Sequence, residues 1–103
     1  INRGGEKISA EEVENLILSH QSVQNVACVP YPDDVLGERM CACVVLQTGA
    51  TLELDELVTF LSDMGIAKFK LPERLEILDE LPLSGFGKVS KKELAAALAQ
   101  PAG

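Results

Sequence analysis

Hydrophobic positions along this chain follow two rhythms, one helical and one unbroken, and each segment is fenced by residues that stop it. Residues 1–8, INRGGEKI, predict a short β-hairpin, with Gly4 and Gly5 at a turn where positive φ is needed. Ser9 then reads as a helix N-cap, with Glu12 as its capping-box partner and Ile8 set to staple against Val13. Val13, Leu16 and Ile17 form one apolar stripe, while Glu11, Glu12 and Glu14 occupy turns that the helix dipole favours. The pattern predicts a helix ending at about residue 19 or 20. Residues 26–29 and 40–46 are continuous apolar runs, too short for a buried helix and rich in Val and Cys. They predict strands covered on both faces.

Pro30 and Pro32 close the first run, and the stretch from there to Glu38 reads as an exposed loop. Beyond a turn at Thr48, Gly49 and Ala50, the spacing of Leu54, Leu57, Val58 and Leu61 predicts a second helix over about 52–64, ended by Gly65. Leu75 and Ile77 share one side of a third strand over 74–78. Residues 84–88, SGFGK, are a glycine-punctuated loop. Ser90 and Glu93, with Val89 against Leu94, then repeat the capping device ahead of a last helix that buries Leu94, Ala97 and Leu98. The sum is an α+β fold: a small, mainly antiparallel three-stranded sheet flanked by helices, plus the N-terminal β-hairpin. The absence of G-x-G-x-x-G and of a long βαβ series excludes the dinucleotide fold.

A length of 103 residues supports one domain with one modest core, and 47% hydrophobic residues is a globular composition. Nine basic against sixteen acidic residues leave a net charge of −7, with no basic stripe, so nucleic acid is excluded as a partner. A single phosphate beside one lysine is not excluded, because local geometry outweighs net charge. No stretch approaches the ~20 apolar residues of a membrane span, and there is no basic-then-apolar leader. Cys28, Cys41 and Cys43 lie in apolar runs without a C-x-x-C or a neighbouring metal ligand. They read as small buried hydrophobes of a reducing, cytoplasmic compartment, and no metal site is expected. His20 stands near a helix end, placed for capping or solvent. The chain opens on Ile1 without an initiator Met, which reads as a piece cut from something longer.

Two segments carry more glycine and polarity than packing requires, residues 2–7 and 84–88. Lys88, after Gly85 and Gly87, is either an exposed loop lysine or an ammonium presented to a carboxylate or phosphoryl oxygen. It is not a Walker lysine, for the spacing is wrong and no hydroxyl follows it. Gly4 and Gly5 either complete the hairpin or let a ligand pass close to the backbone. Asp33, Asp34 and Glu38 read as a solvated acidic turn. Lys91 and Lys92 stand at a helix start, where the dipole disfavours cations, a hint that one of them has another task.

The run from Leu71, Pro72, Glu73 and Arg74 through LPLSGFGKV at 81–89 resembles the last core motif of the ANL superfamily of adenylate-forming enzymes. INRGGEKIS resembles the motif that precedes it, just past an inter-domain hinge. The spellings NRGGEKI and LPERLEILDELPL most resemble stand-alone ligases that activate 2,3-dihydroxybenzoate or salicylate for siderophore assembly. Ser84 departs from the usual threonine, and Lys91 stands where arginine often occurs, which keeps the charge but loses the fork.

The resemblance implies that residues 1–103 are a mobile C-terminal lid, with a large N-terminal domain outside the chain. It implies ATP-dependent formation of an aryl-adenylate, then transfer to the phosphopantetheine thiol of an aryl carrier protein. Lys88, preceded by Gly87, would meet the acyl carboxylate and the α-phosphate region in the first step. Gly4, Gly5 and Lys7 would border the phosphopantetheine tunnel in the second. ATP and Mg2+ would be held mainly by the N-terminal domain, and the isolated 103 residues would not turn over. Expected partners are that domain, the carrier protein and a small aromatic acid, with no nucleic acid and no membrane. Arg3, Lys7 and Arg39 are candidates for meeting an acidic carrier. The alternatives are another acyl- or amino-acid-activating member of the superfamily, and a non-catalytic carrier-binding domain.

Overall fold

The structure, a computed structural model, describes residues 2–3, 6–7, 9–33, 37–83 and 87–99. Strands β1 (Asn2–Arg3) and β2 (Glu6–Lys7) are followed by α1 (Ala10–Leu18), β3 (Val23–Asp33) and β4 (Gly37–Leu46). Then come α2 (Leu54–Asp63), a 3-10 turn at Lys68–Lys70, β5 (Arg74–Ile77) and α3 (Lys91–Ala99). This is the expected order and the expected α+β class. β3 and β4 form the antiparallel body of the sheet, from Val23 opposite Leu46 to Asp33 opposite Gly37. β5 lies parallel to β4, Cys41 to Val44 facing Arg74 to Ile77. A parallel neighbour needs a crossover, and α2 supplies it. The hairpin β1–β2 joins the sheet where Arg3 pairs with Gly37, on the first residue of β4.

The side-chain alternation of β3 and β4 sends residues to two separate cores, as their unbroken apolar runs imply. Val26, Cys28, Met40, Ala42 and Val44 face α1 and α2 and meet Val13, Ile17, Leu57 and Leu61. Ala27, Val29, Cys41, Cys43 and Val45 face the other way, onto Leu81 and Leu94 of the α3 layer. The sheet is therefore sandwiched between helices.

The loop expected after Pro30 is instead strand. β3 runs on through Pro30, Tyr31, Pro32 and Asp33, paired with residues 37–40. The reason lies in the direction of the amides. β3 is an edge strand, and its Cys28 N–H points away from β4, to Glu14 Oε2 at 2.7 Å. Alternate residues share that direction, so positions 30 and 32 have no ladder bond to lose and accept proline. Tyr31 is consequently half-buried against the α3-side core, with Arg74 over its ring at 5.7 Å. The acidic turn shrinks with the loop: Asp33 and position 38 are strand residues, while Asp34 lies outside the described residues.

Most other local signals act as expected, but of the three residues expected to be buried by α3 only Leu94 is: Leu98 is half-buried and Ala97, on the outer side of that short helix, is exposed. Ser9 Oγ accepts the Glu12 amide at 3.3 Å, whereas the Glu12 carboxylate takes Lys70 Nζ at 3.1 Å across the surface. Ile8, the other half of the expected staple, lies outside the described residues. α2 carries a full capping box between Glu53 and Glu56, and Gly65 follows at φ +83°. Among the described residues no helix is long and apolar enough to cross a membrane.

Candidate functional site

Residues 84–88 sit on a narrow base. Leu83 and Val89 form an isolated antiparallel bridge, and the Ser90 amide donates to the Pro82 carbonyl at 2.7 Å. The chain thus leaves and returns to one point. Residues 84–86, Ser84 and Gly85 among them, lie outside the described residues. Gly87 has φ +77°, and a Cβ built on it would meet nothing within 4 Å. Glycine is needed there for the left-handed backbone and not for room. That turn sends the next residue, Lys88, outward; it is exposed. Among the described residues no carboxylate lies within ion-pair distance of its ammonium. On the far side, Ser90 Oγ accepts the Glu93 amide at 3.4 Å and starts α3, while Leu94 anchors the helix in the core.

The second candidate segment lies elsewhere. Lys7 is a strand residue of β2 opposite Asn2, and Gly4 and Gly5 fall outside the described residues. The hairpin meets β4 at Gly37, whereas Leu83 lines a 250 Å³ recess with Gln24, Asn25 and Val45, at the other end of β4. Eight residue steps along β4 lead from Gly37 to Val45, roughly 26 Å at strand rise. The described strands of the hairpin and the Leu83–Val89 bridge therefore stand at opposite ends of the sheet.

Other expected candidates are occupied. Arg39 gives its guanidinium to Glu73 at 2.7 Å. Lys91, flagged for its unfavourable place at a helix start, reaches Glu14 Oε2 at 2.7 Å. His20 Nδ1 accepts the Ser22 amide at 3.0 Å, and its ring meets Phe60 edge-on at 4.7 Å. It stabilises a turn and a helix contact. The three thiols are free and buried. Cys41 Sγ lies 3.9 Å from Cys43 Sγ, and that hydrogen bond together with burial pushes the Cys41 thiol up. Burial likewise drives Cys28 up to about 12. Held protonated in this way, Cys28 and Cys41 are inert packing groups. Among the described residues no group of His, Cys, Asp and Glu is able to hold a metal ion, so Mg2+ is assigned no ligand here.

Sequence reasoning missed one feature. Glu14, whose side chain is only 15% exposed, joins α1, the β3 edge and the start of α3. On sequence it is simply one acid among several near a helix start. Only the fold brings its two partners to it.

Comparison with known proteins agrees with this fold. Residues 12–88 match the AMP-binding enzyme C-terminal domain. A salicylyl-CoA synthase / salicylate adenylyltransferase of a Streptomyces species is 54% identical over 94 residues, 91% of this chain and 17% of that protein. The 2,3-dihydroxybenzoate-AMP ligase of Bacillus subtilis (strain 168) is 46% identical over 100 residues, 97% of this chain and 18% of that protein. Apo MbtA of Mycobacterium smegmatis superposes with a TM-score of 0.88 at 39% identity, covering 92% of this chain and 18% of that one. The chain thus spans less than a fifth of the length of these relatives. With its lysine loop clamped at the base, its two-sided core and these matches, the chain belongs to the AMP-binding enzyme C-terminal domain family of the ANL superfamily of adenylate-forming enzymes.

Proposed function

We propose that the chain is the C-terminal lid of a longer ligase that converts an aryl acid, salicylate or 2,3-dihydroxybenzoate, to a thioester in two steps. First the acid's carboxylate oxygen attacks the α-phosphorus of ATP, and pyrophosphate leaves with the bonding pair. Then a thiol sulfur attacks the acyl carbon, the C–O bond to AMP breaks, and the thiol proton is lost to solvent. The acid class is supported by the names of the Streptomyces and Bacillus relatives.

The observation that carries the reading is Lys88, exposed and sent outward by the left-handed Gly87 from a fixed base. Its ammonium offsets negative charge gathering between carboxylate and α-phosphate, giving and taking no proton. Gly4, Gly5 and Lys7 serve the second step by bordering the channel for a phosphopantetheine arm. Separation of the two segments along β4 supports a rigid-body swing of the lid between the steps. Mg2+ and the acid pocket belong to the N-terminal domain in this reading.

Lys88→Ala in the full-length enzyme tests it. Aryl-acid-dependent pyrophosphate exchange should fall at least ~100-fold, as removal of a preorganised charge stabiliser does. Thioester formation from preformed aryl-adenylate should stay within about twofold of wild type, because that step does not use the interaction. Undiminished exchange would refute the role of Lys88. A second reading, with CoA as the thiol, is favoured by the name of the Streptomyces relative. Supplying the adenylate with CoA or with a loaded carrier protein decides between the acceptors.

A further inference from the structure

Lys91 has a task that its place at a helix start only hinted at. It is the first residue of α3, three positions beyond Lys88. Its Nζ lies 2.7 Å from Glu14 Oε2, and the same oxygen accepts the Cys28 amide at 2.7 Å. One carboxylate oxygen on α1 therefore ties the start of α3 to the middle of the β3 edge. On the other side of the loop, Val89 bridges Leu83 and the Ser90 amide holds the Pro82 carbonyl. Residues 89–91 are thus pinned from two directions, to the segment entering the loop and to the far helical layer.

We propose that Lys91 is a positioning residue for Lys88, acting through Glu14 to fix the point from which the lysine loop projects. The inference rests on the function proposed above. A backbone bridge alone leaves a loop free to hinge about its own two-strand base. The ion pair removes that freedom, since Glu14 is itself mostly buried and anchored on an amide. A cation at the dipole-disfavoured end of a helix is tolerated because a carboxylate receives it. Arginine fits the same place, since charge and reach are what the contact uses.

The test uses the full-length enzyme with Lys91→Met, Lys91→Arg, Glu14→Gln, the Met/Gln double variant and Lys88→Ala in parallel. Glu14→Gln keeps an oxygen for the Cys28 amide and loses only the charge. Lys91→Met and Glu14→Gln should each lower aryl-acid-dependent pyrophosphate exchange about tenfold, a modest share of what misplacement of a reacting group costs. Thioester formation from preformed aryl-adenylate should stay within about twofold, and the double variant should be no worse than the weaker single one. Lys91→Arg should restore exchange. Loss of both steps together, in proportion to a fall in thermal midpoint, would show a merely structural contact and overturn the inference. So would unchanged exchange in Lys91→Met. If Lys88→Ala abolishes exchange while Lys91→Met does not, only this inference fails; if Lys88→Ala is itself silent, the proposed function fails and the inference with it.

Discussion

Cys28 is the residue where burial has the clearest thermodynamic consequence. It is almost wholly buried between the sheet and α1. Burial first, and the negative charge of Glu14 second, push its thiol from the ordinary 9.0 to about 12. The unfolded chain releases this proton near 9.0, whereas the folded chain keeps it until about 12. Between those values the native state binds more protons, so stability falls as pH rises and is intact below the window. The slope for one such group is about 1.4 kcal/mol per pH unit. Cys28→Ala removes this term while leaving lysines and tyrosine to titrate as before. Urea unfolding of both proteins from about pH 8 to pH 11 should show the wild-type advantage shrinking at that slope. An advantage that stays constant would mean the thiol is not desolvated as described.

At the scale of the element, β3 is the instructive case, because it is an open edge that has been made unattractive to another strand. Its outward amides are disposed of in turn: Val26 N–H goes to the Asn25 side chain at 2.9 Å, Cys28 N–H to Glu14 at 2.7 Å. Pro30 and Pro32 have none to offer. An edge whose outward donors from Val26 to Pro32 are taken or missing is a poor template for pairing with a second chain. Replacing Pro30 and Pro32 with Val restores two donors on a β-branched edge, so light scattering of concentrated protein should show self-association above wild type. Identical scattering would mean that the prolines do not guard this edge. The prolines also mark where the sequence stopped being legible. Helix starts were readable because Ser9 and Ser90 cap with their own neighbours, and the two longest strands were readable from their apolar runs. Whether a proline ends a strand depends on which way its amide would point, which is set by sheet order and hence by residues far along the chain. The parallel placement of β5 and the meeting of Lys91 with Glu14 are long-range in the same sense.

The whole molecule combines a two-sided core with a lysine loop that, in the function proposed above, acts on substrates held by another domain. Both faces of the sheet are covered, and the Cα radius of gyration of 13.2 Å matches a compact domain, about 13 Å for this length. The lysine loop was legible because glycine, lysine and the following cap are contiguous; the partner surfaces that Lys88 would serve are not encoded in these residues. Among the described residues no group of three or more His, Cys, Asp and Glu side chains is placed to hold a metal ion, and in the function proposed above the acid pocket belongs to the N-terminal domain. The isolated 103 residues should therefore fold by themselves, with a cooperative urea transition, yet give no aryl-acid-dependent pyrophosphate exchange. The two measurements bear on different claims. A chain that fails to unfold cooperatively would deny that the two clusters flanking the sheet form a self-sufficient core. Exchange above background would deny that catalysis is shared with a second domain, because an ammonium without a held substrate has only its charge. Adding back the separately produced N-terminal domain should restore at most weak exchange, since the two parts then meet only as often as diffusion allows. Restoration that rises with the concentration of the wild-type chain, and is absent with the Lys88→Ala chain, would place the missing contribution at that side chain.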